Sequence, residues 1–173
     1  MKRNGVYLTE MTGIESRRRR SRLKLRQRFE PIKEFFSASA EKHGIEVRNE
    51  IPESLVSPPI FPAEASALFS NLLSNAIKFA GKNGRVLVKG GEEGGEVVVR
   101  FENTGERVDP EIGERWFDPF RTTTGMADPT LGQGMGLGLT VSRSLMDEYG
   151  GIIRFVRPSS GFETAIEFRW PKR

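Results

Sequence analysis

Twice along this chain a helical pattern runs into a glycine stop and gives way to two alternating segments split by a glycine-rich turn. The first helical stretch covers residues 63–80 and ends at Gly81. Alternating segments follow near Val86–Lys89 and Val97–Glu102, joined by the hairpin-like Gly90-Gly-Glu-Glu-Gly-Gly95. The second helix runs through about Tyr149 and stops at Gly150-Gly151, before alternating segments at Ile152–Val156 and Glu163–Trp170, split by Ser159-Ser-Gly161. Apolar residues at three- and four-residue spacing mark one helix face, and strict alternation marks a half-buried strand. An earlier helix is predicted between Leu23 and Lys42, with Leu25, Phe29, Ile32, Phe35 and Phe36 in phase and Gly44 ending it. Ile45–Ile51 alternates, a proline-rich loop leads on to the 63–80 helix, and a short helix is predicted over Pro110–Trp116. Strands that arrive in pairs between helices predict an α+β fold: a two-layer sandwich whose mixed, mostly antiparallel sheet is covered on one face by helices.

Composition narrows the class. At 173 residues the chain is about one domain. Its balance of 36% hydrophobic and 29% charged residues is that of a soluble globular protein. No apolar run approaches the roughly 18 residues of a membrane span, no signal peptide opens the chain, and no membrane contact is expected. The absence of cysteine fits a reducing, cytoplasmic setting and removes thiol chemistry. The single histidine, His43, argues against an all-protein zinc or iron site. Residues 1–21 are basic and aperiodic and read as a flexible lead-in, with residues 22–173 as the domain. The run Arg17-Arg-Arg-Arg20 is read as a solvated arm rather than a specific nucleic-acid contact, because no aromatic or helical platform accompanies it.

The helix over residues 63–80 carries an unusual stripe. At about 100° per residue, Asn71, Asn75 and Lys78 fall within roughly 60° of one another. Leu72, Leu73, Ala76, Ile77 and Ala80 take the opposite face and pack on the sheet. Asparagine is a poorer helix former than the Glu, Lys or Gln of an ordinary solvated stripe. Two carboxamides one turn apart, with a lysine, offer neutral oxygens for a hard cation and positive charge for phosphate, although a polar face with no ligand reads the same way.

Three further segments extend this stripe into a pattern. Phe69-Ser-Asn71-Leu-Leu-Ser-Asn75-Ala-Ile-Lys78-Phe resembles the asparagine box of histidine kinase ATP-binding domains. Phe101-Glu-Asn103-Thr-Gly105-Glu-Arg107-Val-Asp-Pro-Glu111 resembles the first glycine box. Arg115-Trp-Phe117-Asp-Pro119-Phe120 resembles the phenylalanine box, and Gly134-Met-Gly136-Leu137-Gly138-Leu the second glycine box. Four boxes in order, over about residues 25–171, are similar to the superfamily shared by gyrase-type, mismatch-repair and heat-shock chaperone ATPases, with the histidine kinase branch closest.

The resemblance implies a Bergerat-type ATP-binding fold that holds ATP and Mg2+. It implies that Asn71 and Asn75 hold the metal, and that Asn71 and Lys78 serve phosphoryl transfer. Asn103 would read the base, while Gly105, Thr123, Gly134, Gly136, Leu137 and Gly138 would line the nucleotide. Glycines let backbone amides approach phosphates closely, and the helix that follows presents its amino-terminal end to them. Arg121–Gln133 is the implied lid, anchored by Phe117 and Phe120. The implied partners are a phosphoacceptor (dimerisation) domain and a response regulator, with the chain itself monomeric in isolation.

Two departures bear on function. Asn103 stands where the first glycine box opens with aspartate, and Arg107 replaces its second glycine. Asn71 stands where the hydrolysing branches carry a glutamate that activates water. A carboxamide takes no proton at neutral pH, so water attack lacks a general base, as suits a kinase. His43 has no acidic neighbour of the phosphoacceptor kind and reads as an ordinary helix-end histidine. A catalytic domain acting on a histidine supplied elsewhere is therefore expected. A non-enzymatic module that senses ATP and signals through its lid is the competing reading.

Overall fold

The computed structural model describes residues 19–118 and 138–173. Ser21 pairs with Ile60 in both directions, at 2.8 and 3.1 Å, so the end of the lead-in lies against the domain. Helix α1 (Leu25–Phe35) and helix α2 (Ser37–Lys42) follow where one continuous helix was predicted. The break is at Phe36, whose φ and ψ of −89° and 1° leave the helical region. The turn sends Phe36 inward at 4% exposure while Phe35 stays 74% exposed. Helical spacing continues through both residues, so periodicity alone does not reveal the bend.

Strand β1 (Glu46–Glu50) leads through the proline loop to helix α3 (Pro62–Phe79). α3 begins with Pro62 in its first turn, where a missing N–H costs nothing, and is followed by Gly81 at φ +76°. Strands β2 (Arg85–Glu93) and β3 (Glu96–Asn103) form the hairpin. The turn is shorter than the predicted glycine stretch. Only Gly94 and Gly95, at φ +57° and +80°, make it, and Gly90 and Gly91 belong to β2. Two residues of positive φ form the turn that matches strand twist, so β2 runs on to Glu93, four residues past the predicted Lys89. Helix α4 (Pro110–Glu114) runs into a 3-10 turn, Arg115–Phe117; helix α5 (Gly138–Glu148) and strands β4 (Ile152–Val156) and β5 (Thr164–Pro171) complete the described residues.

The sheet order is β1-β2-β3-β5-β4, with β1 parallel to β2 and every other pair antiparallel. Val97, Val99, Phe101, Phe168 and Trp170 face the helices and are buried. Phe29 of α1 and Phe69 of α3 join Phe101 and Phe168 in one aromatic cluster whose neighbouring ring centroids lie 5.4–6.3 Å apart. This is the expected two-layer α+β sandwich. Among the described residues no helix is long and apolar enough to cross a membrane.

The other sheet face is covered by charge. Glu102 and Glu167 project from it yet are 0% and 1% exposed. Arg100 and Arg169 each approach Glu167 to 2.5 Å, and Lys89 lies 3.1 Å from Glu102. Burial alone would raise the Glu167 pKa, but hydrogen bonds from Arg169 and Arg100 outweigh it and hold the carboxyl below its usual range. A carboxylate depressed in this way stabilises the fold above its unfolded pKa of about 4.3, and that contribution is lost as pH falls through the lower folded value. Glu167→Gln is therefore expected to cost about 2 kcal/mol at neutral pH, less than a wholly buried pair because both guanidinium groups keep water contact. Denaturant titrations of both proteins should show the gap closing in strong acid. A gap independent of pH would mean that Glu167 acts through packing rather than charge.

Candidate nucleotide site

Asn71 is half-buried two turns into α3. Its Nδ2 donates to the Gly138 carbonyl at 3.2 Å and to Ser142 Oγ at 3.4 Å. Ser142, wholly buried, donates in turn to the Gly138 carbonyl at 2.8 Å. These bonds knit α3 to the first turn of α5 and leave the Asn71 Oδ1 as an acceptor. Ser142 did not stand out in the sequence; its only signal is a hydroxyl on the apolar face of α5.

The side chain of Asn75, one turn on, makes no hydrogen bond among the described residues. It lines a narrow cleft with Leu72, Phe79, Asn103, Trp116 and Ile166. Phe79 and Trp116 face each other across 5.3 Å, tilted by 31°. Lys78 in the last turn of α3 is half-buried, and desolvation pulls its ammonium pKa below the usual value. Its Nζ lies 5.8 Å from the Phe79 ring centroid.

Asn103 ends β3 opposite Thr164 of β5 and is 4% exposed. Its Nδ2 donates to the Thr104 carbonyl at 2.8 Å. Thr104 is itself fixed: its hydroxyl donates to the Ala80 carbonyl at 3.0 Å and accepts from the Arg85 N–H at 2.8 Å. The Asn103 Oδ1 and the second Nδ2 hydrogen are thus left for a ligand. Gly105 has φ +95°, and a Cβ there would stand 2.1 Å from the Phe79 carbonyl oxygen. Its α-carbon packs on the end of α3, a steric requirement for glycine. At Gly138, by contrast, a Cβ would meet Asn71 Cγ at an ordinary 3.7 Å, so the neighbours do not demand a glycine.

Phe117 is buried, and its carbonyl accepts from the Thr140 hydroxyl at 2.8 Å. Arg143 of α5 stacks 3.9 Å from the Phe117 ring centroid and pairs with Glu114 at 2.5 Å, fastening the 3-10 turn to α5. The expectations for Phe120, Thr123, Gly134, Gly136, Leu137 and the lid fall within residues 119–137, outside the described residues. His43 caps α2 with Nδ1 2.9 Å from the Ser39 carbonyl. Its own carbonyl accepts from the Asn83 N–H, also at 2.9 Å, so the ring sits at a helix end.

Asn71, Asn75, Asn103 and Gly138 therefore come together from α3, β3 and α5, with Lys78 and Gly105 at the end of α3. Among the described residues no group of three His, Cys, Asp or Glu side chains could hold a metal ion. The donor set suits Mg2+ held by carboxamide oxygens, water and a ligand's own phosphates, because this cation keeps water and substrate oxygens rather than an all-protein cage. Among the described residues, the side-chain oxygens of Asn71 and Asn75 are the donors that α3 offers.

The model of the family described as histidine kinase-, DNA gyrase B- and HSP90-like ATPases matches residues 62–173. The chain is 27% identical over 154 residues to the sensor protein KdpD of Clostridium acetobutylicum, covering 86% of this chain and 17% of that protein. It thus spans a small part of the length of such relatives. Among solved structures, the catalytic domain of histidine kinase ThkA superposes with a TM-score of 0.75 at 27% identity, over 88% of this chain and 95% of that one. The same kinase in complex with response regulator protein TrrA shares the fold at 21% identity and a TM-score of 0.72, over 97% of this chain and 50% of that chain.

Proposed function

Because the chain belongs to the histidine kinase-, DNA gyrase B- and HSP90-like ATPase family, we propose that it binds Mg-ATP and passes the γ-phosphoryl group to a histidine on a separate phosphoacceptor domain. The observation that carries this reading is the convergence of two carboxamides from α3 with the glycine start of α5, with no carboxylate lining the cleft beside them among the described residues. Its partners would be that phosphoacceptor domain and a response regulator, and the lack of cysteine favours a cytoplasmic setting.

The residues divide the work. Asn71, its nitrogen engaged by Gly138 and Ser142, would offer its oxygen to the metal, and Asn75 would offer a second. Bound Mg2+ would neutralise charge on the phosphates. Lys78 would supply a partly desolvated positive charge, and the start of α5 at Gly138 would present its unpaired backbone N–H groups to an anion. Phosphoryl transfer needs little covalent chemistry from the protein, so holding phosphates and metal in place is most of the catalysis. The free interior of the cleft is only about 10 Å³, so a base would need the side chains lining it to give way.

Asn103 bears on base choice. A free carboxamide could flip to suit guanine, but the bond to the Thr104 carbonyl opposes that turn. Flipping would set two oxygens face to face, forfeit a hydrogen bond worth about 1 kcal/mol and leave the half-buried Thr104 carbonyl without that partner. The wild type is therefore expected to prefer Mg-ATP over Mg-GTP by roughly tenfold or more. Titrating both nucleotides into the wild type and Asn103→Asp tests the assignment. Equal affinities for both nucleotides in both proteins would remove Asn103 from the base site.

A further inference from the structure

We propose that Arg20, Tyr149 and Glu64 form a positioning knot that couples the segment entering the domain to the nucleotide site, an inference that rests on the ATP reading above. The knot joins three pieces of chain at the end of the α3–α5 pair remote from Asn71. The Tyr149 hydroxyl, one residue beyond α5, donates to the Glu64 carboxylate in the first turn of α3. The same oxygen accepts from the Phe61 N–H at 3.0 Å, the residue just ahead of α3. The Arg20 guanidinium lies 4.9 Å from the Tyr149 ring centroid and 5.5 Å from that of Phe61. A cation held against two aromatic rings this way is attracted to both.

The geometry gives the knot leverage. Helices α3 and α5 pack against each other and are tied at two places: at one end by Asn71 to Gly138 and Ser142, at the other by Tyr149 to Glu64 and Phe61. The first tie carries the metal and phosphate residues. The second fixes how the two helices lie relative to one another and therefore how the first tie is spaced. Arg20 sits on this second tie and belongs to the entering segment, which is held by more than one contact. Ser21 pairs with Ile60, and Leu23 exchanges bonds with Ser57, its N–H donating to Oγ at 2.9 Å and its carbonyl accepting the Ser57 N–H at 2.9 Å. A pull on the entering segment thus reaches α3 and α5 directly.

If docking of this segment and nucleotide binding favour the same helix arrangement, each must strengthen the other by the same factor. The test uses the full chain and its Arg20→Ala and Tyr149→Phe variants, with Arg20→Lys as the conservative replacement. Calorimetric titration with Mg-ATP is expected to give at least threefold weaker affinity for Arg20→Ala and Tyr149→Phe, with part of the loss restored in Arg20→Lys. Hydrogen exchange at Ser21 and Leu23 should slow in the wild type on saturation with Mg-ATP, and slow less in Arg20→Ala. Unchanged affinity in both variants, with exchange at those amides indifferent to nucleotide, overturns the coupling while leaving the ATP reading intact. A wild type that binds no Mg-ATP overturns both.

Discussion

Replacing Asn75 by alanine is expected to weaken Mg-ATP binding by about a hundredfold while leaving the domain as stable as before. Asn75 is the carboxamide of the α3 stripe with no hydrogen bond among the described residues, whereas Asn71 is engaged by Gly138 and Ser142. It shares a cleft with Asn103. A hydrogen bond or metal contact to a charged group is worth about 1.5–3 kcal/mol, which is roughly a ten- to hundredfold change in affinity, and both metal and phosphate lose a partner here. Alanine is the better helix former by several tenths of a kcal/mol, so the thermal midpoint should hold or rise slightly. That divergence of affinity from stability separates a ligand contact from a packing contact. Unchanged calorimetric affinity would take Asn75 out of the site.

The second large effect is expected at Gly105, where alanine should cost about 2–5 kcal/mol of stability. A residue with a side chain at φ +95° is strained by roughly 1–2 kcal/mol. Its Cβ would also stand 2.1 Å from the Phe79 carbonyl oxygen and 2.6 Å from the Ala80 carbonyl group. Both are backbone atoms at the end of α3, and they accept from the Glu106 N–H at 3.2 Å and the Thr104 hydroxyl at 3.0 Å. Relieving the clash means moving the end of the asparagine helix or breaking those bonds, an overpacking cost of about 1–3 kcal/mol more. For a domain of this size the thermal midpoint should fall by about 10 °C. Gly91→Ala is the control, since nothing lies within 4 Å of a Cβ there. Equal midpoints for the two variants would show that the first glycine box does not brace α3.

Much of this arrangement is legible in the residues themselves. Helix α3 can be read from the run Leu72, Leu73, Ala76 and Ile77 and from Gly81, because its local signals and its tertiary role agree. The stripe of Asn71, Asn75 and Lys78 follows from helical geometry once the helix is placed. What could not be read depends on contacts between distant segments. The bend at Phe36 breaks no periodicity. Ser142 looks like any small polar residue until Asn71, 71 positions away, is packed against it. Glu102 and Glu167 alternate as solvent-facing residues should, yet both are buried. Their shielding comes partly from cross-strand neighbours, Lys89 beside Glu102 and Arg100 beside Glu167, which pair only once the sheet register is set. Gly105 announces a conformation in the sequence, but the backbone it must clear belongs to a different element.

The most direct test of the proposed function follows the γ-phosphoryl group. The purified chain is incubated with Mg-ATP labelled at the γ position, and label is traced before and after a four-helix phosphoacceptor domain is added. With Asn71 in place of a water-activating carboxylate, the chain alone is expected to hold nucleotide, leave His43 unlabelled and release only traces of inorganic phosphate. Adding the acceptor should produce acid-labile phosphohistidine on that domain. Brisk release of inorganic phosphate by the chain alone, with no label reaching the acceptor, would contradict the kinase reading and assign the site to a hydrolase.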